Sequence, residues 1–539
     1  MKPFDATGAF QSIVTQDGLR RLAVRGAGMT VLSQGTAFAG QMVATILMAR
    51  LLTPRDFGLV TMVTTFSLLL LNCGLNGFTE AVIQRETMDH TLASNLFWIN
   101  VCLGLCLTIA FAAAGSVLAH LYAEPRVRGV AVAVALSILF NSFSVIHLAL
   151  LKRAMRFNVV SVNDVTARFI SVLLSLALAW AGWGYWALVA GVVAIPSSTF
   201  IGSWLACRWI PALPRYDSRT MPAVRFALST YGRFTANYFT NNLDNLLVGW
   251  RLGPGSLGLY KKAYDLFVLP VNQLSAPLTS VAVSTLSRLK TQPSQYRRYF
   301  LTAFSLLAFV GMGMGADLTL IGRDLIRLLL GPRWDESGRI FCIFAPGIGL
   351  MVLYGTHGWL HLSIGRADRW FRWGLVELSV TSALFVLGLR WAPAGIAAAW
   401  VVSFVVLIIP GLWYAAKPIQ IGVAPMLAVI WRYALASLVA GCGSAVILRA
   451  FALPSNPSSF STFVRIVVTS SLFTALYGSL VVLLHWGLLP LRQVAMVLSE
   501  MLPLSRRPKT SPAIASVGQA EVVLVPTLQK QLTQAGGQL

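Results

Sequence analysis

Long apolar segments follow one another along almost the whole chain and limit what it can fold into. We count about fourteen of them, each near the 20 residues that an α-helix needs to cross the hydrocarbon core of a bilayer. Hydrophobic residues make up 56% of the 539-residue chain and charged residues only 11%. A soluble protein of this size cannot bury so much apolar surface, whereas lipid solvates it. The chain is therefore predicted to be an all-α, polytopic membrane protein.

The predicted spans divide the chain almost from end to end. They cover residues 29–50, 58–83, 92–118, 128–151, 161–181, 184–207, 224–250, 260–287, 299–321, 339–362, 371–391, 393–416, 430–452 and 462–488. No connection between spans exceeds about 20 residues, so no soluble catalytic domain is inserted. Residues 1–28 lack the apolar core of a signal peptide, and we expect a cytoplasmic N-terminal segment there. The polar residues 490–539 are predicted to be a mobile cytoplasmic tail.

Basic residues set the predicted orientation. The net charge is +23, and most Lys and Arg lie in connections and tails on one side of the predicted membrane. Cytoplasmic connections of membrane proteins are rich in these residues, which predicts that the N- and C-termini are both cytoplasmic. Basic residues placed in this way do not form the continuous surface that nucleic acid needs. We therefore expect a multi-pass membrane protein with no nucleic-acid partner.

A short pattern, Leu-x-Pro-x-x-x-Gly-Leu, occurs twice, at residues 52–59 and 252–259. The first copy lies at the turn between spans 1 and 2, and the second at the turn between spans 7 and 8. Because the number of spans separating the copies is even, the two halves keep the same orientation, which predicts parallel repeats. The predicted architecture is two six-helix lobes around a central cavity plus two extra C-terminal helices. The predicted boundaries are 29–208 for the N-lobe, 209–223 for a cytoplasmic linker, 224–416 for the C-lobe and 424–489 for the extra helices.

The seventh predicted span carries polar residues along one face. At 100° per residue, an arc of about 100° holds Thr230, Arg233, Asn237, Thr240, Asn241 and Asp244. Charged groups inside a span are costly, so they face a cavity or a partner. We therefore take Arg233, Asn237 and Asn241 as candidate substrate-binding residues, and Asp244 as a candidate for binding a coupling ion. The alternative is that Arg233 pairs with a carboxylate of a neighbouring span and joins two helices.

Two other spans carry smaller polar faces. In the fifth span Arg168 follows Asp164 by one helical turn, so it either lines the cavity or is neutralised by that carboxylate. In the first span Gln34 and Gln41 share a face, as a wall of the same cavity would, although hydrogen bonds between helices explain them equally well. Arg168, Gln34 and Gln41 complete the candidate substrate-binding set.

Motifs for catalysis, metals or cofactors are missing from the sequence. His357 and His361 lie one helical turn apart on the tenth span, but no third ligand accompanies them, which favours packing over a metal site. The chain has no Walker A motif and cannot drive transport by hydrolysing ATP itself. We expect no catalytic residue, no metal and no cofactor, and a transport protein rather than an enzyme.

Several segments together resemble a known family. They are Ala49–Leu59 (ARLLTPRDFGL), Gly74–Arg85 (GLNGFTEAVIQR), Asn242–Gly249 (NLDNLLVG), and the stretch from Ala276-Pro277 to Ser287-Arg288-Leu289. Their order and spacing resemble the bacterial polysaccharide transporter family, the Wzx-type lipid-linked oligosaccharide flippases of the multidrug/oligosaccharidyl-lipid/polysaccharide exporter superfamily. The resemblance covers roughly residues 25–420.

This resemblance implies a function and a set of partners. The implied substrate is an undecaprenyl-diphosphate-linked oligosaccharide, moved across the bacterial inner membrane by alternating access for exopolysaccharide or lipopolysaccharide biosynthesis. Arg233 and Arg168 would then bind the diphosphate, and the amides of the polar faces would bind sugar hydroxyls. Asp244 would bind H⁺ or Na⁺, and polysaccharide polymerase or export machinery would act beside the flippase. Strongly cationic flippases have more basic residues inside their spans than this chain does.

Two other functions fit a polytopic membrane protein. A cation-coupled drug or metabolite exporter of the same fold would favour an aromatic and acidic cavity, whereas the polar faces here are mostly amide, hydroxyl and Arg. A polysaccharide polymerase or ligase would need a large catalytic loop outside the membrane, and the longest predicted outer loop, about 322–338, is short.

Overall fold

The described part of the chain consists of helices that follow one another along the sequence. The computed structural model describes residues 3–5, 7–10, 35, 39–85, 87–450 and 459–487, and none of these residues belongs to a strand. The helices are α1 (Ala39–Leu51), α2 (Pro54–Gln84), α3 (His90–Leu121), α4 (Arg126–Arg153), α5 (Phe157–Trp180), α6 (Tyr185–Cys207), α7 (Thr220–Leu289), α8 (Pro293–Leu330), α9 (Asp335–Phe344), α10 (Gly347–Ser363), α11 (Ala367–Gly388), α12 (Ala392–Ala416), α13 (Val423–Ala450) and α14 (Ser459–Leu484). The all-α prediction is confirmed. Most of the predicted N-terminal segment and the predicted tail lie outside the described residues.

Many of these helices have the length and composition of membrane spans. Nine helices in the described part of the chain are long and apolar enough to cross a membrane, or up to eleven if each of two bent pairs is one span. One of the nine, Asp368–Ile419, contains both α11 and α12. The chain is therefore a multi-pass membrane protein, and the number of fourteen spans stays a prediction.

The first copy of the repeated pattern starts α2. Thr53 caps the helix: its hydroxyl accepts a hydrogen bond from the backbone N–H of Asp56, and its own N–H donates to the Asp56 carboxylate at 2.9 Å. Pro54 follows at the first helical position, where the missing N–H has no cost. A new helix, α2, therefore starts directly after the end of α1.

The second copy of the pattern folds α7 back on itself. Gly253 has φ 79° and ψ 178°, a conformation that glycine adopts without strain, and it interrupts the helix before Pro254. Beyond the break, the Tyr260 hydroxyl lies 2.7 Å from the Asp244 carboxylate, although sixteen residues would separate them by about 24 Å in a straight helix. We call the parts of α7 before and after Gly253 its first and second arms. The two copies thus make equivalent turns.

Two groups of helices pack around α2 and α7. In the first group α2, α3, α4, α5 and α6 pack on one another, and in the second group α7 packs with α8 to α12. Helices α13 and α14 pack on each other and on α8. The most extensive contact joins α2 to α7. We call the end of the bundle that holds residues 52–54 and 252–254 the motif face, and the opposite end, which holds residues 208–219, the linker face.

The segment between α6 and α7 is fixed to α3. The Asn95 side chain donates to the Arg215 carbonyl at 2.6 Å and accepts from the Arg215 N–H at 2.9 Å. The Trp98 indole donates to the Ala212 carbonyl at 2.8 Å, and the Ala212 N–H donates to the Ser94 hydroxyl at 3.0 Å. These bonds satisfy backbone groups that would otherwise be unpaired. The segment therefore belongs structurally to the first helix group.

Candidate functional site

The two copies of the repeated pattern contact each other at the motif face. A Cβ added to Gly58 would lie 1.7 Å from the carbonyl oxygen of Pro254, and one added to Gly258 would lie 1.8 Å from that of Pro54. Only glycine allows backbones to approach this closely. The glycine of each copy thus packs on the proline of the other, and α2 and the second arm of α7 are locally related by a two-fold axis.

Further contacts join the two helix groups around these glycines. The Arg50 guanidinium donates to the carbonyls of Leu328 and Leu329, at 2.7 and 3.1 Å, where α8 ends. The indole of Trp334, a fully buried residue, donates to the Ala49 carbonyl at 2.8 Å. A cation near a helix C-terminus is stabilised by the unpaired carbonyls and by the helix dipole. The two groups are therefore held together at the motif face.

A buried lysine and aromatic rings extend this contact. The Lys262 ammonium lies 4.1 Å from the centre of the Phe57 ring, and Phe57 packs edge-on against Trp334 at 5.4 Å. Lys262 is only 9% exposed, which strengthens the attraction between the cation and the ring. Lys262 comes from the second helix group and Phe57 from the first, so this pair also spans the interface.

Helix α2 stays close to the first arm of α7 down to the linker face. The Tyr238 hydroxyl donates to the Thr65 carbonyl at 2.6 Å. Nearer the linker face, a Cβ on Gly77 would lie 2.7 Å from the carbonyl oxygen of Ala227, so the two backbones again touch. Helix α2 and the first arm of α7 therefore touch at both of these points.

The residues of the predicted polar face belong to the first arm of α7. Arg233, Asn237 and Asn241 are in the helical part of α7, but their side chains lie outside the described residues. Gln34 also lies outside them, and the Gln41 side chain is exposed on α1. The assignment of these residues to a substrate site stays a prediction.

Asp244 is enclosed in the second helix group. One carboxylate oxygen accepts hydrogen bonds from the Tyr260 hydroxyl at 2.7 Å and the Trp400 indole at 3.1 Å, and the other accepts from the Asn245 N–H at 2.7 Å. The residue is fully buried. Three donors satisfy the carboxylate, so a cation could reach it only if a donor moved away. Sequence reasoning selected Asp244 but not the two aromatic donors, because they come from other segments.

Arg168 pairs with its neighbour on α5. The Arg168 guanidinium lies 3.0 Å from the Asp164 carboxylate, and both side chains are about half exposed. This is the neutralised arrangement that the i, i+4 spacing allowed as one alternative. An ion pair so exposed adds little stability. A substrate anion would have to compete with Asp164 for Arg168.

A cavity of about 490 Å³ opens at the linker-face end of the second arm of α7. The described residues that line it are Val281, Ser284, Thr285 and Arg288. A guanidinium and two hydroxyls on one helical turn can bind an anion by charge-assisted hydrogen bonds. Sequence analysis did not select these residues, although the spacing of Ser284, Thr285 and Arg288 on one side of a helix was a signal that could have found them.

Comparison with known families gives a match in the same region. The family described as "Polysaccharide biosynthesis protein" matches residues 47–339, more than half of the chain. The match runs from the end of α1, through both copies of the repeated pattern, to the middle of α9.

Two curated proteins are similar over most of their length. The chain is 27% identical over 375 residues to the teichuronic acid biosynthesis protein TuaB of Bacillus subtilis, covering 67% of this chain and 75% of that protein. It is 20% identical over 368 residues to the succinoglycan biosynthesis transport protein ExoT of Rhizobium meliloti, covering 68% and 74%. The names of both relatives refer to biosynthesis, and that of ExoT also to transport.

A solved structure shows the same fold. The chain superposes on the lipid II flippase MurJ in an inward closed conformation with a TM-score of 0.67, covering 84% of this chain and 98% of that one. The sequences are only 12% identical, so this likeness concerns the fold alone.

Proposed function

Because the chain belongs to the polysaccharide biosynthesis protein family, we propose that it is a flippase for an undecaprenyl-diphosphate-linked oligosaccharide. It moves this substrate across the bacterial inner membrane by alternating access, for exopolysaccharide or lipopolysaccharide biosynthesis. One observation carries the mechanism: the repeated turns seal the motif face, while a cavity with an arginine opens towards the linker face. A site closed at one face and accessible from the other is what alternating access requires.

The proposed orientation places the linker face in the cytoplasm. Basic residues cluster there, among them Arg153, Arg208, Arg215, Arg219 and Arg288. The positive-inside rule then puts the motif face in the periplasm and both termini in the cytoplasm. In this orientation the proposed N-lobe (29–208) and C-lobe (224–416) touch at their periplasmic ends, and 424–489 provides two helices outside the lobes.

The substrate diphosphate enters where the anion-binding cavity lies. Ser284, Thr285 and Arg288 bind it first, at the cytoplasmic end of the second arm of α7. Arg233 on the neighbouring arm takes the diphosphate deeper, with Asn237 and Asn241 binding sugar hydroxyls. Gln34 and Gln41 line the opposite wall, and Arg168 contributes once it separates from Asp164. The lipid tail remains in the bilayer, where its apolar surface is solvated.

Coupling of transport to a cation fits the same architecture. Asp244 binds H⁺ or Na⁺ when Tyr260 or Trp400 releases it, which links ion binding to movement of α7 against α12. Polysaccharide polymerase and export machinery receive the flipped substrate. The protein acts as a transporter and not as an enzyme, and the family match favours a polysaccharide substrate over a drug.

Deletion and complementation in the native host test this function. Loss of the gene is expected to abolish the surface polysaccharide and to accumulate lipid-linked oligosaccharide in the inner leaflet. Arg288→Gln and Arg233→Ala should restore little export at matched protein levels, since each removes a cation from the substrate path. Arg297→Gln is the matched control, because Arg297 is exposed on the same face just beyond the cavity. Normal surface polysaccharide in the deletion strain would refute the function.

A further inference from the structure

The second arm of α7 exposes polar side chains along much of its length. Of the exposed residues that the structure describes between 261 and 289, only Ala276 and Val281 are apolar. The others are Asp265, Asn272, Gln273, Ser284 and Arg288. Helix α13 shows the opposite pattern, since every exposed residue from Leu427 to Val446 is apolar. Polar groups that face hydrocarbon are costly, so the exposed side of the second arm suits a water-filled cavity and that of α13 suits lipid.

Two neighbouring amides lie near the middle of this polar side. Asn272 and Gln273 are both exposed, and neither amide makes a hydrogen bond to another described residue. Each amide offers two N–H donors and a carbonyl oxygen that accepts. An unpaired amide at membrane depth is costly unless water or a ligand satisfies it. The pair therefore has bonding capacity that the described part of the protein does not use.

The repeat places an asparagine at the equivalent point of α2. Asn72 lies as far beyond Gly58 as Asn272 lies beyond Gly258. The Asn72 amide donates to the Leu68 carbonyl of its own helix at 2.7 Å. The α2 amide is thus partly satisfied by its own backbone. The amide of the second arm makes no such bond, so it is the better candidate for binding a ligand.

The amide pair is well separated from the charged groups of the same side. Gln273 and Arg288 are fifteen residues apart, which is about 22 Å along a straight helix. The arm bends by 43° between Ala276 and Val281, which shortens this distance slightly. Towards the motif face, Asp265 pairs with Lys261 at 2.7 Å. The middle of the arm thus offers neutral hydrogen-bonding groups, and the cavity near the linker face offers a cation.

We propose that Asn272 and Gln273 form a saccharide subsite, which binds the distal sugars of the substrate while its diphosphate is held at Arg288. Amides donate and accept at the same time, as sugar hydroxyls do, and they bring no charge that would favour a second phosphate. A single sugar ring is far shorter than the separation from Arg288, so the subsite selects substrates that carry several sugars. The proposal rests on the flippase function and adds which part of the substrate the middle of the arm recognises.

Binding by the full-length protein in lipid nanodiscs tests the subsite. The probes are undecaprenyl diphosphate alone and the same lipid carrying the complete oligosaccharide of the host. The wild-type protein should bind the oligosaccharide probe roughly tenfold more tightly. Asn272→Ala and Gln273→Ala should each weaken binding of this probe by roughly 2- to 10-fold, as the loss of one hydrogen bond does, and leave undecaprenyl diphosphate unaffected. Arg288→Gln should weaken binding of both probes, because both carry the diphosphate.

A matched control and the melting temperature make the result decisive. Asn158→Ala removes an exposed amide at the start of α5 and should change neither affinity. Amide variants that keep the wild-type preference for the oligosaccharide probe overturn the subsite and leave the flippase function standing. Equal weakening of both probes, with a lower melting temperature or loss of a dimer, also overturns it, since the amides would then join helices or copies of the chain. A wild-type protein that binds neither probe refutes the flippase function itself.

Discussion

Replacing Gly58 by alanine should prevent the motif face from closing. The added Cβ would lie 1.7 Å from the Pro254 carbonyl oxygen, so the two backbones must separate by about 1.7 Å or more before the contact is ordinary. The added Cβ is fixed to the α2 backbone and meets a backbone oxygen, so no side chain can rotate away. Overpacking of this kind costs about 1–3 kcal/mol, which shifts the balance between closed and open forms by roughly 5- to 150-fold.

The stability of helix α2 itself should not fall with this change. Alanine favours a helix over glycine by about 1 kcal/mol, so the melting temperature should stay level or rise while the closed form is lost. Hydrogen exchange measured by mass spectrometry separates the two effects. Peptides covering residues 50–62 and 252–264 should exchange faster in Gly58→Ala, and the other helices should keep their protection. Export should fall in proportion to the loss of the closed form.

Matched variants make this prediction refutable. Gly258→Ala should behave like Gly58→Ala, because its Cβ would lie 1.8 Å from the Pro54 carbonyl oxygen. Gly441→Ala on α13 is the control, since nothing lies within 4 Å of its added Cβ. Unchanged exchange and normal export in Gly58→Ala would show that the contact at the motif face does not close the transporter.

Two further predictions concern the ends of the bundle. Trp334→Phe removes the hydrogen bond to the Ala49 carbonyl and leaves that carbonyl unpaired, which costs about 1–3 kcal/mol. Hydrogen exchange should therefore become faster around residues 46–52. An unchanged exchange rate would show that this bond does not hold the motif face closed. At the linker face, the hydrogen bond from Arg219 holds the pKa of the Asp217 carboxyl below its usual value. The pair therefore stabilises the fold fully above the unfolded-state pKa of about 3.9. This stabilisation is lost as the pH falls through the lower pKa of the folded state. Asp217→Asn should therefore lower the melting temperature more at pH 7 than near pH 3, and an equal loss at both would contradict this sign.

The positions of most helices follow directly from hydropathy. The span predicted at 184–207 corresponds to α6 (Tyr185–Cys207), and the one at 393–416 corresponds to α12 (Ala392–Ala416). The span predicted at 339–362 is instead split into α9 and α10, which bend by 52° around Pro346. A proline lacks the N–H that continues the helical hydrogen bonding, so Pro346 could have predicted this break. Average hydropathy does not show it.

The candidate site was harder to predict from the sequence than the helices were. The turn at Gly253 follows from local rules, because the Gly-Pro pair marks a break. The need for glycine at 58 and 258 does not, since it comes from a backbone about 200 residues away. Ser94 and Asn95 fall within the span predicted at 92–118, and their binding to the segment before α7 does not follow from that position. Contacts of this kind depend on packing between helices distant in sequence.

The reciprocal contact of Gly58 and Gly258 has the symmetry of a homodimer interface within a single chain. In such an interface each surface is used twice, and a rotation that breaks one contact breaks its twin at the same moment. Separation of the helix groups at the motif face therefore has no stable halfway point, because neither glycine can leave its proline while the other stays. The two contacts of the motif face would thus form and separate as one unit.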